Sequence, residues 1–83
     1  MNQAIQVLDG CTYIDEKDAL KIDIMESGQM LACYICGLDK EALTSLYYTK
    51  QFEIEEIIER ELEQGKVNSG GEIWFTAKDV CEF

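Results

Sequence analysis

The chain contains no proline and no histidine among its 83 residues. Without histidine it lacks the commonest general base and the commonest metal ligand, so such chemistry would fall to carboxylates and cysteines. Basic residues are scarce as well: 7 Lys and Arg stand against 17 Asp and Glu, a formal net charge of −10. Affinity for nucleic acid comes largely from neutralised phosphates and released counterions, so no nucleic-acid partner is expected. Anionic membrane surfaces are disfavoured by the same repulsion. No apolar run approaches the roughly 20 residues that a membrane span requires. The opening MNQAIQVLDG has no basic n-region, apolar h-region or cleavage site. It therefore gives no sign of a secretory signal. The cytoplasm is the expected compartment, and cysteines stay reduced there.

What is present suffices for one small core. Hydrophobic residues make up 47% and aromatics 10%, which fits a single domain over 1–83 without help from metal or disulfide. The organising stretch runs from Phe52 to Phe75. Ile54, Ile57, Ile58 and Leu62 keep the spacing of one helical face, and Phe52 is read as opening that face. Glutamates occupy most of the remaining cylinder. Gly65 stands where a helix C-cap takes a positive φ. Asn68, Ser69, Gly70 and Gly71 form a turn, and Glu72 to Thr76 is β-rich.

Upstream of that stretch the pattern is that of a meander. Ile5 to Leu8 is a short apolar patch interrupted by Asp9-Gly10, and Cys11 to Ile14 is a first strand. Leu20, Ile22 and Ile24 alternate with Lys21, Asp23 and Met25, the period of two of a half-buried strand. A two-residue loop at Ser27-Gly28 predicts the pairs Ile24/Leu31, Ile22/Cys33 and Leu20/Ile35, all apolar. A loop at Glu16-Lys17 predicts Tyr13 opposite Leu20 and Cys11 opposite Ile22. Asp39 is the expected N-cap of a helix through Ala42, Leu43, Leu46 and Tyr47. One helix from Lys40 to Gln64, or two meeting near Lys50, both fit the spacing, with the balance tipped to two. Thr76-Ala77-Lys78-Asp79 has capping-box form and predicts a final turn ending in Val80 and Phe83.

The expected fold class is α+β: an antiparallel sheet of about four strands in β-β-β-α-α-β order, with the helices on one face. The other sheet face carries Met25, Met30 and Tyr34. Trp74 joins them if Ile73 and Phe75 pack under the helix; the inverted assignment, with Trp74 in the core, stays open.

Cys33-Tyr34-Ile35-Cys36-Gly37 is the motif that invites chemistry, as half of a zinc knuckle or as a dithiol. Residues three apart on a strand point to opposite faces, so Cys33 should face the core and Cys36 away from it. Zinc needs further ligands that the sequence does not offer. Cys11 and Cys33 would sit two strands apart, too far for a disulfide. The small buried hydrophobe is the default reading of such cysteines. Carboxylate pairs such as Glu56/Glu59 and Glu55/Glu59 lie on an open helix face and are read as solvated. Ser27, Ser45 and Ser69 have no base to activate them. Neither a catalytic residue, a cofactor nor a bound metal is expected.

Taken whole, the chain resembles the small bacterial proteins of the domain of unknown function 1488 family. GQMLACYI, over 28–35, is similar to that family's G-x-x-L-x-C-x-I stretch through Gly28, Leu31, Cys33 and Ile35. Glu41-Ala42-Leu43 is similar to the helix start that follows. IEEIIERELEQGKV and GGEIWFTAKDV resemble its acidic helix, glycine turn, strand and T-x-x-D ending. Ile54, Glu55, Ile58, Gly65, Gly71, Ile73, Thr76, Asp79 and Val80 fall in that frame, and MNQAIQ is similar to the opening of some members. Tyr13 stands where the family often has Trp or Phe, and Cys36 and Cys81 have no counterpart. The resemblance implies an α+β fold with an antiparallel sheet. It implies no activity and no site residues, because none is assigned to the family.

The functional expectation is a non-enzymatic interaction or regulatory protein. Its contact surface would be Met25, Met30, Tyr34 and Trp74 as one contiguous exposed patch, facing a protein partner or a second copy of the chain. The alternative is a metal- or thiol-dependent activity at Cys33 and Cys36.

Overall fold

The computed structural model describes residues 5–82; Met1 to Ala4 and the expected terminal residue Phe83 lie outside the described residues. The strands are β1 (Ile5–Val7), β2 (Thr12–Ile14), β3 (Ala19–Glu26), β4 (Gln29–Cys36) and β5 (Glu72–Thr76). The helices are α1 (Lys40–Thr49), α2 (Gln51–Glu63) and α3 (Ala77–Cys81).

The β3–β4 hairpin fixes the sheet. Ser27 at φ 51° and Gly28 at φ 82° both occupy the left-handed region. That is the turn whose twist matches two antiparallel strands. It pairs Ile24 with Leu31, Ile22 with Cys33 and Leu20 with Ile35, as the loop length predicts. Tyr13 faces Leu20 as expected, but not through a two-residue loop. A 3₁₀ turn over Asp15–Lys17 is followed by Asp18 in the left-handed region, φ 49°. The wider loop conserves the register. Cys11 falls just outside the ladder, so its expected pairing with Ile22 is not made.

Among the described residues the sheet has five strands, one more than the expected count. The extra one is β1, which pairs Ile5 with Glu26 and Val7 with Ile24. It runs end to end with β2 along one edge of β3. Between them residues 8–11 face only residues 22 and 23, so the chain bulges at Gly10, φ 99°. The bulge is tied down: the Gly10 N–H donates to the Tyr47 hydroxyl at 2.9 Å.

β5 lies on the far side of β4 and runs parallel to it, with Cys33 beside Ile73 and Ile35 beside Phe75. The sheet is thus mixed, though mostly antiparallel. A parallel neighbour requires a long crossover, and α1 with α2 supplies it.

α1 starts on Asp39, whose carboxylate accepts from the Ala42 N–H at 2.8 Å. Two helices form rather than one, with the break at Lys50, φ −120° and ψ 31°. Lys50 N–H still donates to Leu46 C=O at 2.8 Å, and Ile54 N–H to Lys50 C=O at 2.9 Å. The backbone ladder therefore bends without being lost. α2 ends in a Schellman arrangement on Gly65: Lys66 N–H reaches Glu61 C=O and Gly65 N–H reaches Leu62 C=O.

The core is a single cluster between the helices and one sheet face. Leu20, Ile22, Ile24, Cys33, Ile35 and Ile73 form its floor; Leu43, Tyr47, Ile54, Ile57, Ile58 and Leu62 form its roof. One expectation fails. Phe52 does not open the buried face but is 71% exposed. It lies two residues before Ile54, about 200° round the helix, and so points the opposite way.

The chain closes with the expected capping box. Thr76 N–H and Oγ1 donate to the Asp79 carboxylate at 2.9 and 3.1 Å, and Asp79 N–H returns to Thr76 Oγ1. Thr76→Ala is expected to cost about 1 kcal/mol, a melting temperature lower by about 4–8 °C in scanning calorimetry. The backbone and side-chain hydrogen bonds from Thr76 hold the Asp79 carboxyl below its usual range. A depressed carboxyl contributes stability that is present above the unfolded value, about pH 3.9, and is lost as pH falls through the lower folded value. Asp79→Asn should accordingly flatten the acid limb of a stability–pH curve below about pH 4.

Candidate functional site

Because every buried helical side chain joins the one core, the second face of the sheet carries no helix among the described residues. The register places Lys21 beside Tyr34, Asp23 beside Ala32 and Met25 beside Met30 on that face. It also brings Tyr34 beside Trp74, Ala32 beside Glu72 and Cys36 beside Thr76. The two assignments left open for Trp74 are therefore resolved: Ile73 and Phe75 enter the core, and Trp74 points to the uncovered side.

The four residues expected at an interface share this face but form two pairs, not the one contiguous patch expected. Met25 and Met30 sit at the hairpin end. Tyr34 and Trp74 lie four residues along β4, about 13 Å away, with Ala32 between. Met30 is 55% exposed, Trp74 39% and Tyr34 only 6%, with Met25 half-buried.

The Tyr34–Trp74 pair is built into a polar corner. The rings are stacked, 4.7 Å between centroids and 21° between planes. The Trp74 indole N–H donates to Glu72 Oε1 at 3.1 Å. The Asn68 side chain organises the turn behind it, its Oδ1 accepting from the Gly70 and Glu72 N–H groups and its Nδ2 donating to Glu72. These donors, first Trp74 and then Asn68, hold the Glu72 carboxyl below its usual range, with a further contribution from Lys17. Lys17 reaches in from the 3₁₀ turn, its Nζ 3.8 Å from Glu72 Oε2 and 5.2 Å from the Tyr34 ring centroid.

β5 is an edge strand, yet little of its outer backbone is open. Pairing to β4 uses Ile73 and Phe75, which leaves Glu72, Trp74 and Thr76 facing outward. Asn68 takes both the N–H and the C=O of Glu72, and Asp79 takes the N–H of Thr76. Strand addition at this edge would find a full N–H and C=O pair only at Trp74.

The thiols sit as strand geometry predicts. Cys33 is in the core, where burial, and then Glu61, push its thiol far above the usual range. Cys36 is on the other face, half-buried, its Sγ donating to the Phe75 C=O at 3.8 Å. Burial also raises Cys11, while Cys81 is exposed. Among the described residues no three Cys, Asp or Glu side chains converge as metal ligands. Timed thiol titration should modify Cys81 first and leave Cys33 unreactive until denaturant is added. Early labelling of Cys33 would contradict its place in the core.

Glu56, Glu59 and Glu63 line an open depression on α2 together with Arg60. The Glu55 carboxyl is raised by partial burial, then by Glu59 and Asp9. Neither arrangement encloses a substrate. Sequence reasoning missed a second exposed apolar spot at the α1–α2 bend, where Tyr48 is 66% exposed and Phe52 points outward. The signal was available in the helical phase, since both residues fall off the 43, 47, 54, 58 and 62 stripe.

A mostly antiparallel mixed sheet, two main helices on one face and a small C-terminal helix define a DUF1488-like fold. The crystal structure of a protein of unknown function from the DUF1488 family of Shewanella loihica PV-4, at 1.60 Å resolution, matches with a TM-score of 0.76. It is 26% identical in sequence, and the match covers 90% of this chain and 94% of that one. The resemblance drawn from GQMLACYI and GGEIWFTAKDV thus extends to three dimensions. No protein-family model and no curated protein matches the sequence. Among the described residues no helix is long and apolar enough to cross a membrane.

Proposed function

We propose that this chain is a small, acidic, non-enzymatic interaction or regulatory protein of the bacterial cytoplasm, working by contact through its uncovered sheet face. The occupant of that face is a protein partner or a second copy of the chain. One observation carries this reading: Met30 and Trp74 are exposed on a sheet face that, among the described residues, no helix covers. Exposed tryptophan is enriched at binding hot spots. Charge distribution supports it further. α2 alone bears Glu53, Glu55, Glu56, Glu59, Glu61 and Glu63, whereas the sheet face balances Lys17 and Lys21 against Glu72 and Asp23. A locally neutral surface lets an acidic protein approach another without the repulsion of its full charge.

Sedimentation velocity on the pure protein, and binding assays with any partner recovered, test the reading with Met30→Lys and Trp74→Ala. Each substitution is expected to weaken association about tenfold or more. Association unchanged by both would contradict it. The thiol alternative at Cys33 and Cys36 draws no support from their placement on opposite faces. Zinc bound after chelator-free purification, and lost in Cys36→Ser, would restore it.

A further inference from the structure

The polar corner on the sheet face already holds a cation. Lys17 Nζ lies 5.2 Å from the Tyr34 centroid, 5.9 Å from the Trp74 centroid and 3.8 Å from Glu72 Oε2. Two stacked π-faces and a carboxylate make a natural acceptor for positive charge. The acceptor is preorganised. Tyr34 is buried and stacked, and Glu72 is held by the Trp74 indole at 3.1 Å and by Asn68 at 3.4 Å.

The occupant is held less firmly. Lys17 is exposed, arrives on a long flexible stem from a 3₁₀ turn, and makes its ion pair near the outer limit of contact. Pairs of this kind contribute little.

We propose that the Tyr34–Trp74–Glu72 corner receives a lysine or arginine side chain of a partner protein, and that Lys17 is an internal stand-in which the partner's cation displaces. The inference rests on the sheet face being the interaction surface and adds the chemistry that the partner presents. The net charge of −10 draws basic partners toward the chain. With the β5 edge largely closed to strand addition, recognition at this corner is by side chain.

The test uses the indole N–H of Trp74, the single tryptophan, as an NMR reporter. Lys17→Met removes the Lys17 cation from the corner while keeping an apolar stem. The probes are acetyl-Gly-Arg-Gly-amide and the same peptide with citrulline in place of arginine. In the Lys17→Met protein the arginine peptide should shift the reporter saturably, and citrulline should bind about threefold more weakly or worse. The wild-type protein should bind the arginine peptide about threefold more weakly than Lys17→Met, because Lys17 must first be displaced. Adding Glu72→Gln should weaken binding by about threefold, whereas Glu63→Gln on the outer face of α2 should not. Equal binding of arginine and citrulline, or equal loss in Glu63→Gln and Glu72→Gln, would overturn the proposal in favour of general charge attraction.

Two further results separate this inference from the reading beneath it. If the corner ignores arginine yet Trp74→Ala and Met30→Lys still weaken association, the interaction surface stands without the cation site. A dimer that buries Trp74 with Lys17 still in place would likewise overturn the displacement step.

Discussion

Ile58→Ala is expected to lower stability by about 2–5 kcal/mol, with the melting temperature falling by about 8 °C or more. Ile58 is fully buried at the middle of α2, between the Leu20/Ile22/Ile24 floor and the rest of the roof. Truncation removes its transfer free energy and leaves a cavity that the flat floor cannot collapse to fill. A chain of this length has only about 4–12 kcal/mol in total, so the variant sits near the edge of folding. Phe52→Ala is the matched control. Phe52 is a larger hydrophobe on the same helix, but it is 71% exposed. Its loss should stay within about 0.5 kcal/mol. Urea denaturation of both variants decides the matter by their midpoints at unchanged slope. Comparable losses would mean that α2 is rotated relative to the sheet.

Gly71→Val should be the second most damaging change, at about 2–4 kcal/mol. Gly71 holds φ 74°, where a β-branched residue is strained. A Cβ there would stand 3.4 Å from Leu31 Cδ2, a buried side chain with little room to yield. The position also threads β5 into the sheet: its C=O accepts from Ala32 N–H at 3.2 Å and its N–H donates to Asn68 C=O at 3.0 Å. Loss of that turn would loosen the parallel strand and release Trp74 from Tyr34. Tryptophan emission should therefore shift to the red before the protein melts. Gly70→Ala, next to it but without positive φ, should cost less than about 1 kcal/mol. Equal effects at the two glycines would contradict the account of the turn.

These two sites also mark how far the sequence could be read. The β3–β4 register was legible because side-chain period and loop length both speak to it, and a one-residue slip would bury Lys21 and Asp23. The caps at Asp39, Gly65 and Thr76 were legible because each uses local side-chain or φ chemistry. The direction of β5 was not. Glu72 to Thr76 alternates identically in a parallel or an antiparallel ladder; only the path of the two crossover helices decides. β1 escaped notice because three residues followed by Asp9-Gly10 resemble a loop. Its pairing depends on a bulge held by Tyr47, 37 residues away.

For the candidate site the outcome is similar. Period two placed Met25, Met30 and Tyr34 on one face, and Cys33 apart from Cys36. Their division into two pairs, and the arrival of Lys17 and Glu72 at the aromatic stack, depend on a turn conformation and a parallel register that no local pattern encodes. Phe52 shows the reverse: helical phase, not hydrophobicity, decides which way its side chain points.

The central claim is that the helices cover one face of the sheet and leave the other open for contact. Solvent paramagnetic relaxation from a neutral gadolinium chelate, read on methyl and indole resonances of dilute protein, tests it directly. The account requires strong broadening of the Met30 methyl and the Trp74 indole, with the Ile22, Ile24 and Ile58 methyls unaffected. Broadening of Ile22 and Ile24 with Met30 and Trp74 protected would mean that the roof lies on the other side, and the interaction surface proposed above would not exist.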